Sequence, residues 1–237
     1  MPDRSALVRN LLLSKVTMGA QPGNGPQTAG TGRARSVPVS GTALLHIDVI
    51  NDLAFAGSEM LVAQAEPMAI RLATLKRRAS AAGVPAIYIN DNFGQWRSDF
   101  RKTVAHCLSR SSPGRRVSLR LRPTSRDYFV LKPKHSGFFG TTLDTLLETL
   151  RIRRVILTGI AGNICVLFTA NDAYMRDLRI FAPADCIVSN TAADNDHALR
   201  QIHTVLKGNV AESFRLTFRG ARRASTARRR RSQESMT

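Results

Sequence analysis

Three side chains of complementary chemistry fall at or just beyond the carboxyl ends of apolar runs in this chain. Asp48 follows TALLHI (42–47), Lys132 ends DYFVLK (127–132), and Cys165 follows RRVILTG (153–159). A thiol in the first turn of a helix lies among free backbone N–H groups at the positive end of the helix dipole. That setting lowers a thiol pKa and favours the thiolate, the nucleophilic form. A carboxylate within reach can take the thiol proton and later return a proton to a leaving group. A lysine beside both keeps the carboxylate ionised and stabilises the thiolate. The segment Gly159-Ile160-Ala161-Gly162-Asn163 before the cysteine allows a tight backbone path that can aim N–H groups at a developing oxyanion. These residue types describe nucleophilic attack on a carbonyl.

Each residue also has a plainer role open to it. Cys165 could be a small buried hydrophobe, the role assigned to Cys107 and Cys186. Asp48 could cap a turn, although Asn51 and Asp52 suit that better. Lys132 could be a snorkelling surface residue, with Lys134 its competitor for the cleft. Among the histidines, His46 alternates with the core face of its strand and His135 could line a pocket. His106, His197 and His203 have no partner pattern that beats Asp48. The chain has no G-x-S-x-G elbow, no Walker loop and no G-x-G-x-x-G after a strand. Their absence disfavours a serine hydrolase, a nucleoside-triphosphate enzyme and a dinucleotide-dependent dehydrogenase.

The elements that must position these groups alternate in type. Strands are predicted at 42–47, 84–90, 127–132, 153–159, 178–185 and 209–213. Helices are predicted at 59–82 (interrupted by Pro67), 96–108, 141–151, 163–176 and 191–207, with Thr141 or Thr142 as an N-cap. SSPGRR (111–116) reads as a loop. Alternating strands and helices imply βαβ units and a parallel sheet covered on both faces. Ligands of such sheets bind beyond the carboxyl ends of the strands. Asp48, the Asn90-Asp91-Asn92 trio, Lys132 and Cys165 all sit there.

Composition sets the limits. The 237 residues suffice for one α/β domain, and 43% of them are apolar. The net charge of +18 is concentrated at the ends. Residues 1–40 hold five Lys/Arg against one Asp, and residues 215–237 hold eight Arg against one Glu. Residues 1–40 therefore read as a disordered basic leader and linker, 41–214 as the folded domain, and 215–237 as a disordered Arg-rich tail. The tail could touch nucleic acid weakly, but a solvated basic end is favoured, because no aromatic pattern accompanies it. Three widely spaced cysteines argue against a disulfide framework or zinc site and fit a reducing, cytoplasmic setting. No apolar run has the ~20 residues of a membrane span.

Four blocks together resemble the isochorismatase-like cysteine hydrolase superfamily. They are ALLHIDVIND (43–52), VPAIYINDNFGQWRSDF (84–100), VLKPKHSGFFGTTLDTLL (130–147) and LTGIAGNICVLFTANDAYMRD (157–177). The resemblance implies a Rossmann-like α/β/α three-layer fold with a six-stranded, mainly parallel sheet. It also implies a catalytic triad of Asp48, Lys132 and Cys165, a cis peptide at Ile160–Ala161 beside the oxyanion, and a homo-oligomer. Asn92, Phe93, Trp96, His135 and Phe138 are expected around a small-molecule substrate. The family's nicotinamidases carry an Asp-x-His…His metal site after the second strand. NDNFGQWRSDF has no histidine, so no metal or cofactor is expected. The family's true isochorismatases lack the nucleophilic cysteine, so Cys165 points to C–N hydrolysis of an amide, ureido or carbamoyl compound. The alternatives are ether hydrolysis of the isochorismatase type and a non-catalytic protein that binds through its basic ends. The Arg-rich segment 97–126 is read as a solvated loop, with cover of the pocket as its alternative.

Overall fold

The computed structural model describes residues 34–55, 58–92 and 99–220. Phe93 and Trp96, and the bulk of both basic ends, lie outside the described residues.

A wholly parallel sheet forms the centre. Its strands are β2 (Thr42–Ile47), β3 (Ala86–Asp91), β4 (Tyr128–Lys132), β5 (Arg154–Ile160) and β6 (Arg179–Phe181), with two-residue β7 (Ile187–Val188) on the end of β5. The order is β4-β3-β2-β5-β6, so β2 and β5 occupy the middle. All six residues of β2 are buried, as expected of a strand covered on both faces. Leu44, Tyr88 and Ile156 face one core layer, packed against α1 (Glu59–Ala82). Leu45, Ile87, Ile89, Val155 and Leu157 face the other. That second layer is closed by α4 (Leu143–Thr149), α5 (Leu167–Tyr174) and α6 (Ala192–Thr204). Two shorter helices, α2 (Phe100–Cys107) and α3 (Arg115–Arg120), follow β3.

The helices begin and end where local chemistry dictates. In α1 the buried residues Leu61, Ala65, Met68, Leu72, Leu75 and Ala79 make one stripe at spacings of three and four. Gly83 ends that helix at φ +86 and donates its N–H to Ser80. Pro67 does not interrupt it. Pro67 and Ala63 both lie on the exposed side, so the carbonyl left without an intrahelical donor faces water. Thr191 caps α6 by accepting the Asp194 N–H at 3.1 Å. Asp99 caps α2 in the same way through Arg101.

Expectations at the two domain boundaries and in two connecting segments also need correction. The folded region extends past both boundaries, 41 and 214. β1 (Arg35–Pro38), from the expected linker, pairs in parallel with β8 (Leu216–Arg219), from the expected tail. Val37 and Leu216 are fully buried, and Arg78 of α1 donates to the carbonyls of Ser213 and Leu216. The strand expected at 209–213 is a single bridge between Phe181 and Asn209. The loop at 111–116 runs into α3.

Candidate active site

The polar residues at the strand ends converge. Lys132 is fully buried, and its Nζ lies 2.8 Å from Asp48 Oδ2, 3.5 Å from Cys165 Sγ and 3.5 Å from Asp91 Oδ2. Lys134 is exposed, which removes it from competition. Asp48 uses its second oxygen to accept the Asp91 N–H at 2.7 Å. It sits at φ +49, a left-handed conformation that aspartate tolerates, and its own N–H donates to Ile89 at the end of the ladder. Three strands thus meet at one ammonium.

Two glycines make the approach possible. Gly159 has φ +118, and a Cβ there would stand 2.0 Å from the carbonyl oxygen of Ile47, the residue before Asp48. At Gly162 a Cβ would lie 2.4 Å from Asn195 Oδ1 and 2.8 Å from Ser189 Oγ. Only the missing side chains let β5 and the turn after it close onto the sheet. The Ile160–Ala161 peptide is cis. The expected single helix 163–176 divides into a wide π-helical turn, Gly162–Val166, and α5. Turns of this kind are frequent at functional sites. Cys165 lies on it, half-buried. The Ala161 carbonyl accepts the N–H groups of Ile164 and Val166, both at 3.1 Å. Ser189 Oγ accepts the Asn163 N–H at 3.1 Å and donates to Asn195.

The electrostatics revise the thiolate expectation. Burial pushes the Cys165 thiol up, the Asp48 carboxylate adds to this, and Lys132 only partly offsets them, leaving its pKa at about 12. The free site therefore favours the neutral thiol over the thiolate, with the Lys132 Nζ 3.5 Å from Sγ. Burial also raises Asp48 above the usual carboxylate range, against the opposing pull of Lys132, which strengthens it as a base. Burial by itself would lower the Lys132 ammonium. The carboxylates of Asp48 and Asp91 reverse that and hold it above its ordinary value.

The expected substrate contacts are placed unevenly. Asn92 is buried at the end of β3, and its N–H donates to the Lys132 carbonyl at 3.0 Å. His135 is exposed, with its ring 5.3 Å from that of Phe168. Phe138 is turned away from the cleft. It belongs to the second core layer, 5% exposed, with the Arg176 guanidinium 4.5 Å from its ring centre. Its neighbour Phe139 is the exposed one. Ser189 and Thr169 join the site without having been singled out. Asp91, placed at this edge by the strand-end rule, joins it as well, in a role the sequence did not assign. Ser189 follows a two-residue strand, too short for any periodicity to reveal. No cluster of three or more His, Cys, Asp or Glu side chains able to hold a metal occurs among the described residues.

Similarity to known proteins agrees with this architecture. YaaI of Bacillus subtilis, described as an uncharacterized isochorismatase family protein, is 45% identical over 168 residues, 71% of this chain and 92% of that protein. The ureidoacrylate amidohydrolase RutB of Acinetobacter baylyi is 28% identical over 64% of this chain and 75% of its own length. The crystal structure of a cysteine hydrolase from Pseudomonas syringae pv. phaseolicola shares the fold with a TM-score of 0.61. Its sequence identity is 24%, over 78% of this chain and 95% of that one. Residues 42–211 match the isochorismatase domain, and the chain belongs to the isochorismatase family.

Proposed function

We propose that the chain is a metal-independent cysteine hydrolase that cleaves a C–N bond of a small amide, ureido or carbamoyl compound. The observation that carries this reading is the buried Lys132 ammonium, within 3.5 Å of Sγ on one side and 2.8 Å of the Asp48 carboxylate on the other. The ureidoacrylate amidohydrolases among the relatives support the substrate class. Three free cysteines suit a reducing cytoplasm.

The chemistry follows from the resting charges. As substrate binds, the Cys165 proton passes to Asp48 and Sγ attacks the carbonyl carbon. Lys132 faces the sulfur as it becomes negative and keeps the transfer from creating an uncompensated buried charge. The oxyanion forms beside the backbone N–H groups of Ala161 and Cys165. Asp48 returns its proton to the nitrogen as the C–N bond breaks, leaving a Cys165 thioester and a free amine or ammonia. Water then gives a proton to Asp48 and its oxygen to the thioester carbon. The acid leaves and the thiol is restored.

A panel of amides, ureido acids and carbamoyl compounds, run in parallel on wild type and Cys165→Ala, tests the reading. Turnover of a panel member that disappears in the variant supports it, and full activity in the variant overturns it. Cleavage of a vinyl ether in place of every C–N substrate would select the isochorismatase-type alternative.

A further inference from the structure

The nucleophile turn, α5 and the turn that ends it carry polar side chains in one row, at positions 165, 169, 172 and 176, the spacing of a single helix face. The last three all reach the segment that follows Lys132. Thr169 is fully buried. Its hydroxyl donates to the Cys165 carbonyl at 2.7 Å and accepts the Gly137 N–H at 3.0 Å. Asp172 accepts the Ser136 hydroxyl at 2.5 Å. Arg176 stacks on Phe138 and donates twice to Asp144, at 2.7 and 2.9 Å. On the sheet side the loop has no slack, because a Cβ on Gly137 would stand 3.0 Å from Ile89 Cγ2.

A helical threonine that bonds the carbonyl four residues back is common and purely local. The bond from Gly137 is not local. One oxygen atom satisfies a backbone N–H five residues beyond Lys132 and at the same time holds the carbonyl of Cys165. The ammonium is carried by β4 and the thiol by the turn after β5, and this hydroxyl joins that turn to the segment that follows Lys132. We propose that Thr169 is a positioning residue that keeps the Cys165 turn in register with the Lys132 loop, so that Sγ stays within reach of Nζ. It touches no substrate. The inference rests on the cysteine-hydrolase reading of Cys165.

Thr169→Val preserves the shape and removes both bonds, whereas Thr169→Ser keeps the hydroxyl. Two readouts are taken on the full chain. One is kcat and KM on an amide from the panel. The other is the rate of Cys165 alkylation by iodoacetamide between about pH 6 and about pH 11, corrected with Cys165→Ala. In Thr169→Val, kcat is expected to fall about tenfold or more with KM within about twofold, and the pH profile of alkylation to shift. Thr169→Ser is expected to restore both to within about threefold of wild type. Thr169→Ala compared with Thr169→Ser answers the same question if the valine variant does not fold. Wild-type kcat and an unmoved alkylation profile in the valine variant overturn the inference, as does failure of serine to restore them. Alkylation needs no substrate. Failure of the amidase reading therefore leaves this test standing and is distinguishable from failure of the positioning role.

Discussion

Asp48 and Lys132 form an ion pair of 2.8 Å in which the lysine side chain is wholly hidden from solvent and the aspartate 8% exposed. Neither charge can be removed without leaving the other stranded. A stranded buried charge costs about 3–5 kcal/mol. Lys132→Met should accordingly lower the urea midpoint and abolish turnover together. The double variant Asp48→Asn/Lys132→Met should recover much of the stability and none of the activity. Equal stability losses in the single and double variants would contradict a coupled pair.

Asp48→Asn separates reactivity from catalysis. The Asp48 charge is one of the causes that hold the Cys165 thiol at about 12, and Lys132 opposes it. Removing the carboxylate charge leaves the ammonium to pull the thiol pKa down. Alkylation of Cys165 at neutral pH should therefore quicken, while kcat/KM falls by about 10²–10⁴ for want of the acid–base group. Slower alkylation in this variant would reverse the assigned roles.

His46 makes the fold sensitive to acid. Thr158 donates its hydroxyl hydrogen to Leu45 and therefore accepts from His46 Nδ1, at 3.2 Å. Nε2 is buried without a partner among the described residues. Burial, with a smaller push from Lys76, lowers the His46 pKa to about 3. The folded state then binds fewer protons than the unfolded state below pH 6.5. The stability associated with neutral His46 is complete above that pH and is lost as pH falls towards 3. At pH 4.5 the loss should be about 2–3 kcal/mol. His46→Gln should flatten the dependence of urea midpoint on pH between 7 and 4.5, and an unchanged slope would refute the assignment.

Gly159→Ala tests the packing that brings Cys165 to the sheet. The new Cβ would meet the Ile47 carbonyl oxygen at 2.0 Å in a backbone conformation that alanine avoids. The expected result is a loss of at least about 4 kcal/mol, or no soluble folded chain. A melting temperature close to that of wild type would show that this approach is looser than described.

A chain ending at Phe214 should melt well below one ending at Gly220, because it loses β8, the buried Leu216 and an Arg78 contact. Equal melting temperatures for the two would make the β1–β8 ladder dispensable.

The candidate catalytic edge was legible in the sequence because it obeys a rule that survives without coordinates. Polar residues after apolar runs in a parallel sheet must gather at one edge. That rule led to Asp48, Lys132 and Cys165, and it covered Asp91 as well. What stayed hidden depends on contacts far apart in the chain. RSVP (35–38) is only four residues long and lies beside a Gly/Pro-rich stretch, and the apolar/polar alternation of FRLTFR (214–219) is masked by the arginines that make this end read as a tail; the two segments pair with each other. Phe138 and Phe139 are neighbours in a Gly-flanked turn, and nothing in FFG says which ring enters the core. The Cys165 helix looks regular in the sequence, and its wide first turn follows from how Gly162 seats against Ser189 and Asn195. The neutral thiol was missed because helix position suggests a low pKa, whereas burial beside a carboxylate overrides it.

On the proposed function, the concealment of Lys132 would also protect the site chemically. Ureido and carbamoyl compounds shed cyanate in water, and cyanate carbamoylates lysine amines in their uncharged form. Lys132 offers neither accessible surface nor a ready free base, because its ammonium is fully enclosed and held above its ordinary pKa. The chain's surface lysines would be consumed first, and the cation beside the nucleophile would outlast them.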